Sequence, residues 1–101
     1  MKVFTYGSLL NDSNRSLVLG REVDGVEDIL LGYEKIPHSK FYIYPTIRKN
    51  KNGVVEGMVF DVSEADMKNL DRYETHHYKR LEVTLKSGKK ALAYIENPLI
   101  N

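Results

Sequence analysis

The sequence predicts an α+β fold: a small, mainly antiparallel sheet or partial barrel with short helices. Three observations predict it. Runs rich in β-branched and aromatic residues recur along the chain, two separate stretches carry helix signals, and the links between them are mostly short. The 101 residues suit one domain spanning 1–101, and a chain of this size buries roughly 65% of its unfolded surface, enough for one modest core.

Residues 2–6 read as the first strand. Gly7 and Ser8 break it, and helix signals follow: Asp12 or Ser13 as N-cap, Leu17, Val18 and Leu19 as apolar positions, Gly20 as the stop. Residues 23–36 mix Val23, Val26, Ile29, Leu30, Leu31, Tyr33 and Ile36 around Gly25 and Gly32, a strand with bends or a bulge that Pro37 closes. "FYIYPTI" is an edge strand or an ordered loop, and "RKNKNG" a charged, glycine-ended hairpin turn. "GVVEGMVFDV" is a strand in which Gly57 marks a bulge or a close backbone approach. "SEADMKNLDRYE" is a helix, with Ser63 as cap, Asp66 completing a capping box, and Met67, Leu70 and Tyr73 as the apolar stripe. Leu81, Val83 and Leu85 alternate with polar residues, "KSGKK" turns, and "ALAYIE" returns as the second arm of a hairpin. The predicted order is β-α-β-β-β-α-β-β.

Composition narrows the function. Fifteen basic and fourteen acidic residues leave a formal charge of +1, so there is no broad electrostatic footprint for nucleic acid or an anionic membrane. The absence of cysteine removes disulfides, thiolate nucleophiles and Cys-based zinc sites. No apolar run approaches the roughly 18 residues of a membrane span, and the N-terminus lacks a signal-peptide pattern. A cytoplasmic location is the expectation.

Three groups of residues could carry chemistry. Ser8 could act as a nucleophile if His38, His76 or His77 stood beside it, but "TYGSLL" lacks the glycine-x-serine-x-glycine elbow. His76 and His77 are adjacent and diverge on any regular element, and no metal-ligand spacing surrounds them. Glu74 ends the second helix and by its residue type alone is a solvated helix-end carboxylate. A partly apolar surround would instead raise its pKa and fit it for proton transfer in both directions. Tyr6, Tyr42, Tyr44, Tyr73 and Tyr78 could supply such a surround, or simply core.

Taken together, "VFTYGSLL", "YPTI", "GVVEGMVFDV", "LDRYETHHYKRLEV" and "ALAYI" resemble, in order and over nearly the full length, the γ-glutamylcyclotransferase-like proteins. The resemblance implies a small barrel-like mixed fold. It also implies cyclisation of a γ-glutamyl group to 5-oxoproline with release of an amine or amino acid, using neither cofactor nor metal, with a small γ-glutamyl compound as substrate. By the same resemblance, Tyr6, Gly7, Ser8 and Leu9 form the substrate-cradling loop, Glu74 is the general acid/base, and Tyr44 is a pocket aromatic before proline. Tyr78, Arg80 and Tyr94 support the pocket wall. The sequence departs from the family at Thr75, where glycine usually follows the glutamate. A β-branched residue resists a left-handed turn, so this departure favours a second reading, a non-catalytic module that binds a small carboxylate or amide ligand.

Overall fold

A computed structural model describes residues 1–37 and 45–97. Its elements are β1 (Lys2–Thr5), a 3-10 turn (Ser8–Leu10), α1 (Asp12–Leu19), β2 (Val26–Ile36), β3 (Thr46–Asp61), α2 (Glu64–Glu74), β4 (Tyr78–Thr84) and β5 (Lys90–Glu96). The five strands form one sheet in the order β2-β3-β1-β5-β4. All pairings are antiparallel except β1 with β5.

The sheet curls until its two ends meet. Beyond β4, Lys86 N donates to Ile29 O of β2 at 2.7 Å, and Ser87 Oγ donates to Asp28 Oδ2 at 2.5 Å. Strand periodicity then sends alternate side chains to opposite faces. Phe4, Tyr6, Leu30, Ile47, Val55, Val59, Val83 and Ala93 fill the inside of the curl. Val3, Phe60, Val62 and Tyr94 face outward, where Leu19 of α1 and Met67 and Leu70 of α2 cover them.

The structure has five strands where the sequence reading counted six. Residues 48–53, read as a hairpin turn, lie inside β3. Leu31 pairs with Val54 and Tyr33 with Lys49, so Asn50, Lys51, Asn52 and Gly53 of β3 stand opposite Gly32 alone. Gly32 reaches φ 85° there. The run is a bulge with turn-like chemistry: Asn50 Oδ1 accepts from Asn52 N at 3.0 Å, and a Cβ on Gly53 would stand 2.1 Å from the Tyr33 carbonyl oxygen. Of "FYIYPTI", Thr46 and Ile47 open β3, while residues 41–44 lie outside the described residues.

The other shifts are smaller. The expected strand at 23–36 begins at Val26. Asn11, rather than Asp12 or Ser13, caps α1, its side chain accepting from Asn14 N at 3.0 Å. Gly57 marks a close approach, since a Cβ there would lie 2.3 Å from the Thr5 carbonyl oxygen. The capping box on α2 is present in both directions, Ser63 Oγ accepting from Asp66 N and Asp66 Oδ2 from Ser63 N. Tyr73 is not part of the α2 stripe. It is 40% exposed and turns away from the core.

Candidate active site

A cleft of about 210 Å³ opens where the end of β1 meets the end of α2. One wall is the chain from Val3 to Leu9. The other is Tyr73, Glu74 and Thr75 with Tyr78, and Pro45 and Tyr94 complete the lining. Three sheet strands and a helix terminus therefore hold the site, and residues far apart in sequence meet there.

The loop after β1 is held by its own bonds. Leu10 N donates to Gly7 O at 3.0 Å and Asn11 N to Ser8 O at 3.2 Å, closing the 3-10 turn. Arg15, only 4% exposed, buttresses it from behind, donating from Nη1 to Leu9 O at 3.0 Å and from Nε to Val23 O at 2.7 Å. Ser8 and Leu9 line the cleft, and neither N–H group donates to a carbonyl within that turn. Gly7 has φ −132°, so its role is space: a Cβ would meet Pro45 Cγ at 3.0 Å.

Glu74 lies in the opposite wall and is partly buried. Loss of water alone pushes its carboxyl up to about 7. No hydrogen bond or ion pair among the described residues offsets that loss. A carboxyl with this pKa both accepts and returns a proton near neutrality.

Around Glu74 the tyrosines are tied down. Tyr6 Oη donates to the Tyr94 carbonyl. Tyr94 Oη donates to Asp71 Oδ1 at 2.6 Å, one helical turn before Glu74. Arg80 grips the same carboxylate with two donors, Nε at 3.0 Å and Nη2. The Arg80 bonds hold Asp71 below the usual carboxylate range. Burial pushes the Tyr6 hydroxyl up, and burial followed by the Asp71 bond pushes Tyr94 up. Both phenols therefore keep their protons beside Glu74.

Of the expected site residues, Tyr6, Gly7, Ser8, Leu9, Glu74, Tyr78 and Tyr94 line the cleft. Arg80, expected to support the pocket wall, does not line the cleft but grips Asp71, which in turn accepts from the wall residue Tyr94. Tyr44 and His38 lie outside the described residues. The Ser8 hydroxyl meets Tyr73 Oη at 2.6 Å rather than a histidine, and His76 and His77 stack on each other, ring centroids 4.3 Å apart, off the cleft. Sequence reasoning missed Asp71, although its position three residues before Glu74 places both on one helical face. Tyr73 was among the tyrosines expected around Glu74, but its contact with Ser8 has no local signal. Among the described residues no group of three or more acidic or histidine side chains is placed to hold a metal ion.

Thr75 takes the conformation that glycine would. At φ 64° and ψ −177° it is the only non-glycine with positive φ among the described residues. Its N–H closes α2 onto Asp71 O at 2.9 Å, and its Oγ1 accepts from His77 N at 3.3 Å. The hydroxyl offsets part of a backbone strain worth roughly 1–3 kcal/mol.

The family model described as gamma-glutamyl cyclotransferase, AIG2-like, matches residues 3–99. The chain belongs to this family. A curated relative, protein AIG2 C of Arabidopsis thaliana, is 37% identical over 82 residues, 80% of this chain and 49% of its own length. The AIG2-like protein C of the same plant is 33% identical over 80% of this chain and 47% of its own. The chain thus spans about half the length of the curated relatives it matches. A solution structure of an Arabidopsis thaliana protein superposes with a TM-score of 0.81 at 31% identity, covering 94% of this chain and 61% of that one. A structure titled gamma-glutamyl cyclotransferase superposes at 0.78 over 95% of this chain and 66% of its own, and at 19% identity shows the shared fold. Fold and family are of the γ-glutamyl cyclotransferase type.

Proposed function

We propose that the protein cyclises the γ-glutamyl group of a small substrate to 5-oxoproline and releases an amine or amino acid, with Glu74 as general acid/base. The observation that carries this reading is a single carboxyl, raised to about 7 by loss of water, in a small cleft whose opposite wall is the loop after β1. The substrate's α-ammonium gives a proton to Glu74, and its nitrogen then attacks the γ-carbonyl carbon of the same molecule. Backbone N–H groups at Ser8 and Leu9 support the carbonyl oxygen as it gains charge. Glu74 returns the proton to the departing nitrogen as the old C–N bond breaks, and the released amine, the stronger base, takes the second proton from the ring nitrogen and leaves as an ammonium. Holding both reacting groups of one molecule in the cleft adds several kcal/mol through enforced geometry. Tyr6, Tyr78 and Tyr94 shape the wall without exchanging protons, and Asp71 and Arg80 hold Tyr94 in place.

The test is 5-oxoproline release from a panel of γ-glutamyl amino acids and γ-glutamyl amines. Product from the parent protein, with kcat reduced about a thousandfold in Glu74→Gln, is the expected result. Full activity in that variant removes Glu74 from the role. Saturable binding with no product from any member of the panel favours the binding module.

A further inference from the structure

The cleft contains a pair of hydroxyls that the steps above leave unused. Ser8 Oγ and Tyr73 Oη are 2.6 Å apart although 65 positions separate them in sequence, and both residues line the cleft. Tyr73 immediately precedes Glu74, so the contact joins the loop after β1 to the helix end that carries the proton-transfer group.

When two hydroxyls meet, one donates. A phenol, with an ordinary pKa of about 10, is a far stronger acid than an alcohol, so Tyr73 donates and Ser8 accepts. The Ser8 hydrogen then remains for another acceptor. The Ser8 carbonyl is already engaged, accepting from Asn11 N at 3.2 Å and Asn14 Nδ2 at 3.1 Å. No second hydrogen bond of Ser8 Oγ occurs among the described residues. A hydroxyl with one lone pair engaged from behind and a hydrogen to give, on the wall of a cleft facing a general base, suits an oxygen that becomes negative.

Resting on the cyclotransferase reading, we propose that the Ser8 hydroxyl, oriented by Tyr73, donates a hydrogen bond to the substrate's γ-carbonyl oxygen as that oxygen becomes an oxyanion. Ser8 is then a catalytic residue and Tyr73 a positioning residue. The bond that forms joins the α-nitrogen to the γ-carbonyl carbon, the bond that breaks joins that carbon to the leaving nitrogen, and the proton travels through Glu74. The Ser8 hydrogen stays on its own oxygen throughout.

The experiment compares two ligands by calorimetry. L-2-amino-4-phosphonobutanoate carries a tetrahedral anion where the oxyanion would form, and L-glutamine carries a planar neutral amide there. Ser8→Ala should weaken the phosphonate about tenfold or more and L-glutamine by less than about twofold, and Ser8→Thr, which keeps the hydroxyl, should restore both. Tyr73→Phe should weaken the phosphonate by about threefold in the parent background and not at all in the Ser8→Ala background. In turnover, Ser8→Ala should lower kcat with little change in KM. Equal loss for both ligands, no loss for either, or a parent protein that binds neither overturns the proposal. Undiminished 5-oxoproline release in Ser8→Ala overturns it while leaving the cyclotransferase reading intact. Ser8-dependent phosphonate binding in a parent that releases no 5-oxoproline does the reverse.

Discussion

The two ends of α2 each bury a carboxylate, with opposite results. At the first turn Asp66 is only 5% exposed, deeper than Glu74, yet its pKa lies below the ordinary value. Burial there pushes upward and is outweighed by the Ser63 N–H, the Arg21 guanidinium and the Ser63 hydroxyl. At the last turn Glu74 is less deeply placed, meets no such partners among the described residues, and rises to about 7. Burial sets the cost of a charge, and the partners decide whether the charge stays. The same helix thus uses one acid to stabilise its start and leaves the other available for proton transfer at its end.

That contrast is broken most forcefully at Glu74. Its folded pKa lies above its unfolded value, so its contribution to stability is complete below about pH 4.5 and is lost as pH rises through about 7. Each tenfold difference in proton affinity between the folded and unfolded chain is worth about 1.4 kcal/mol. Glu74→Gln should therefore stabilise the protein by about 3 kcal/mol at pH 8 and by nothing at pH 4. Urea unfolding at the two pH values measures both. Equal effects at both would mean that ionised Glu74 costs the fold nothing.

Asp66 should behave with the opposite sign. Its folded pKa is depressed, so it stabilises above its unfolded value and that contribution fades as pH falls through the folded value. Asp66→Ala removes a capping interaction and an ion pair, and should cost about 1–2 kcal/mol at pH 7, shrinking as pH is lowered past 4. A cost that stays constant down to pH 3 would show that packing, not charge, holds this end.

The smallest effect concerns the residue after Glu74. Thr75→Gly removes the backbone strain at φ 64° together with the bond to His77. It should raise stability by about 1 kcal/mol, read as a thermal midpoint several degrees higher. A lower midpoint would mean that the hydroxyl contributes more than the strain costs.

How much of this was legible in sequence follows from how local each signal is. The start of α2 could be read because Ser63, Asp66, Met67 and Leu70 lie within eight positions and obey helical spacing. β3 could not be read as one strand, since Asn50–Gly53 carry turn residues while their pairing partner, β2, is set by long-range register. Tyr73 fits a helical stripe by spacing alone, and only the fold brings Ser8 opposite it. Glu74 and the Tyr6–Leu9 loop were legible through the motifs that contain them, and the water loss that tunes Glu74 was not. That property belongs to a wall assembled from β1, Pro45 and β5, which no stretch around residue 74 records.

The measurement that tests the central claim most directly is a carbon-13 NMR titration of the Glu74 side-chain carboxyl, assigned by its absence from Glu74→Gln. A midpoint near pH 7 is the predicted result, with Asp66 titrating below the ordinary aspartate value in the same spectra. A Glu74 midpoint between 4 and 5 would contradict the account, because the cleft would then leave its one proton-transfer group an ordinary surface carboxylate.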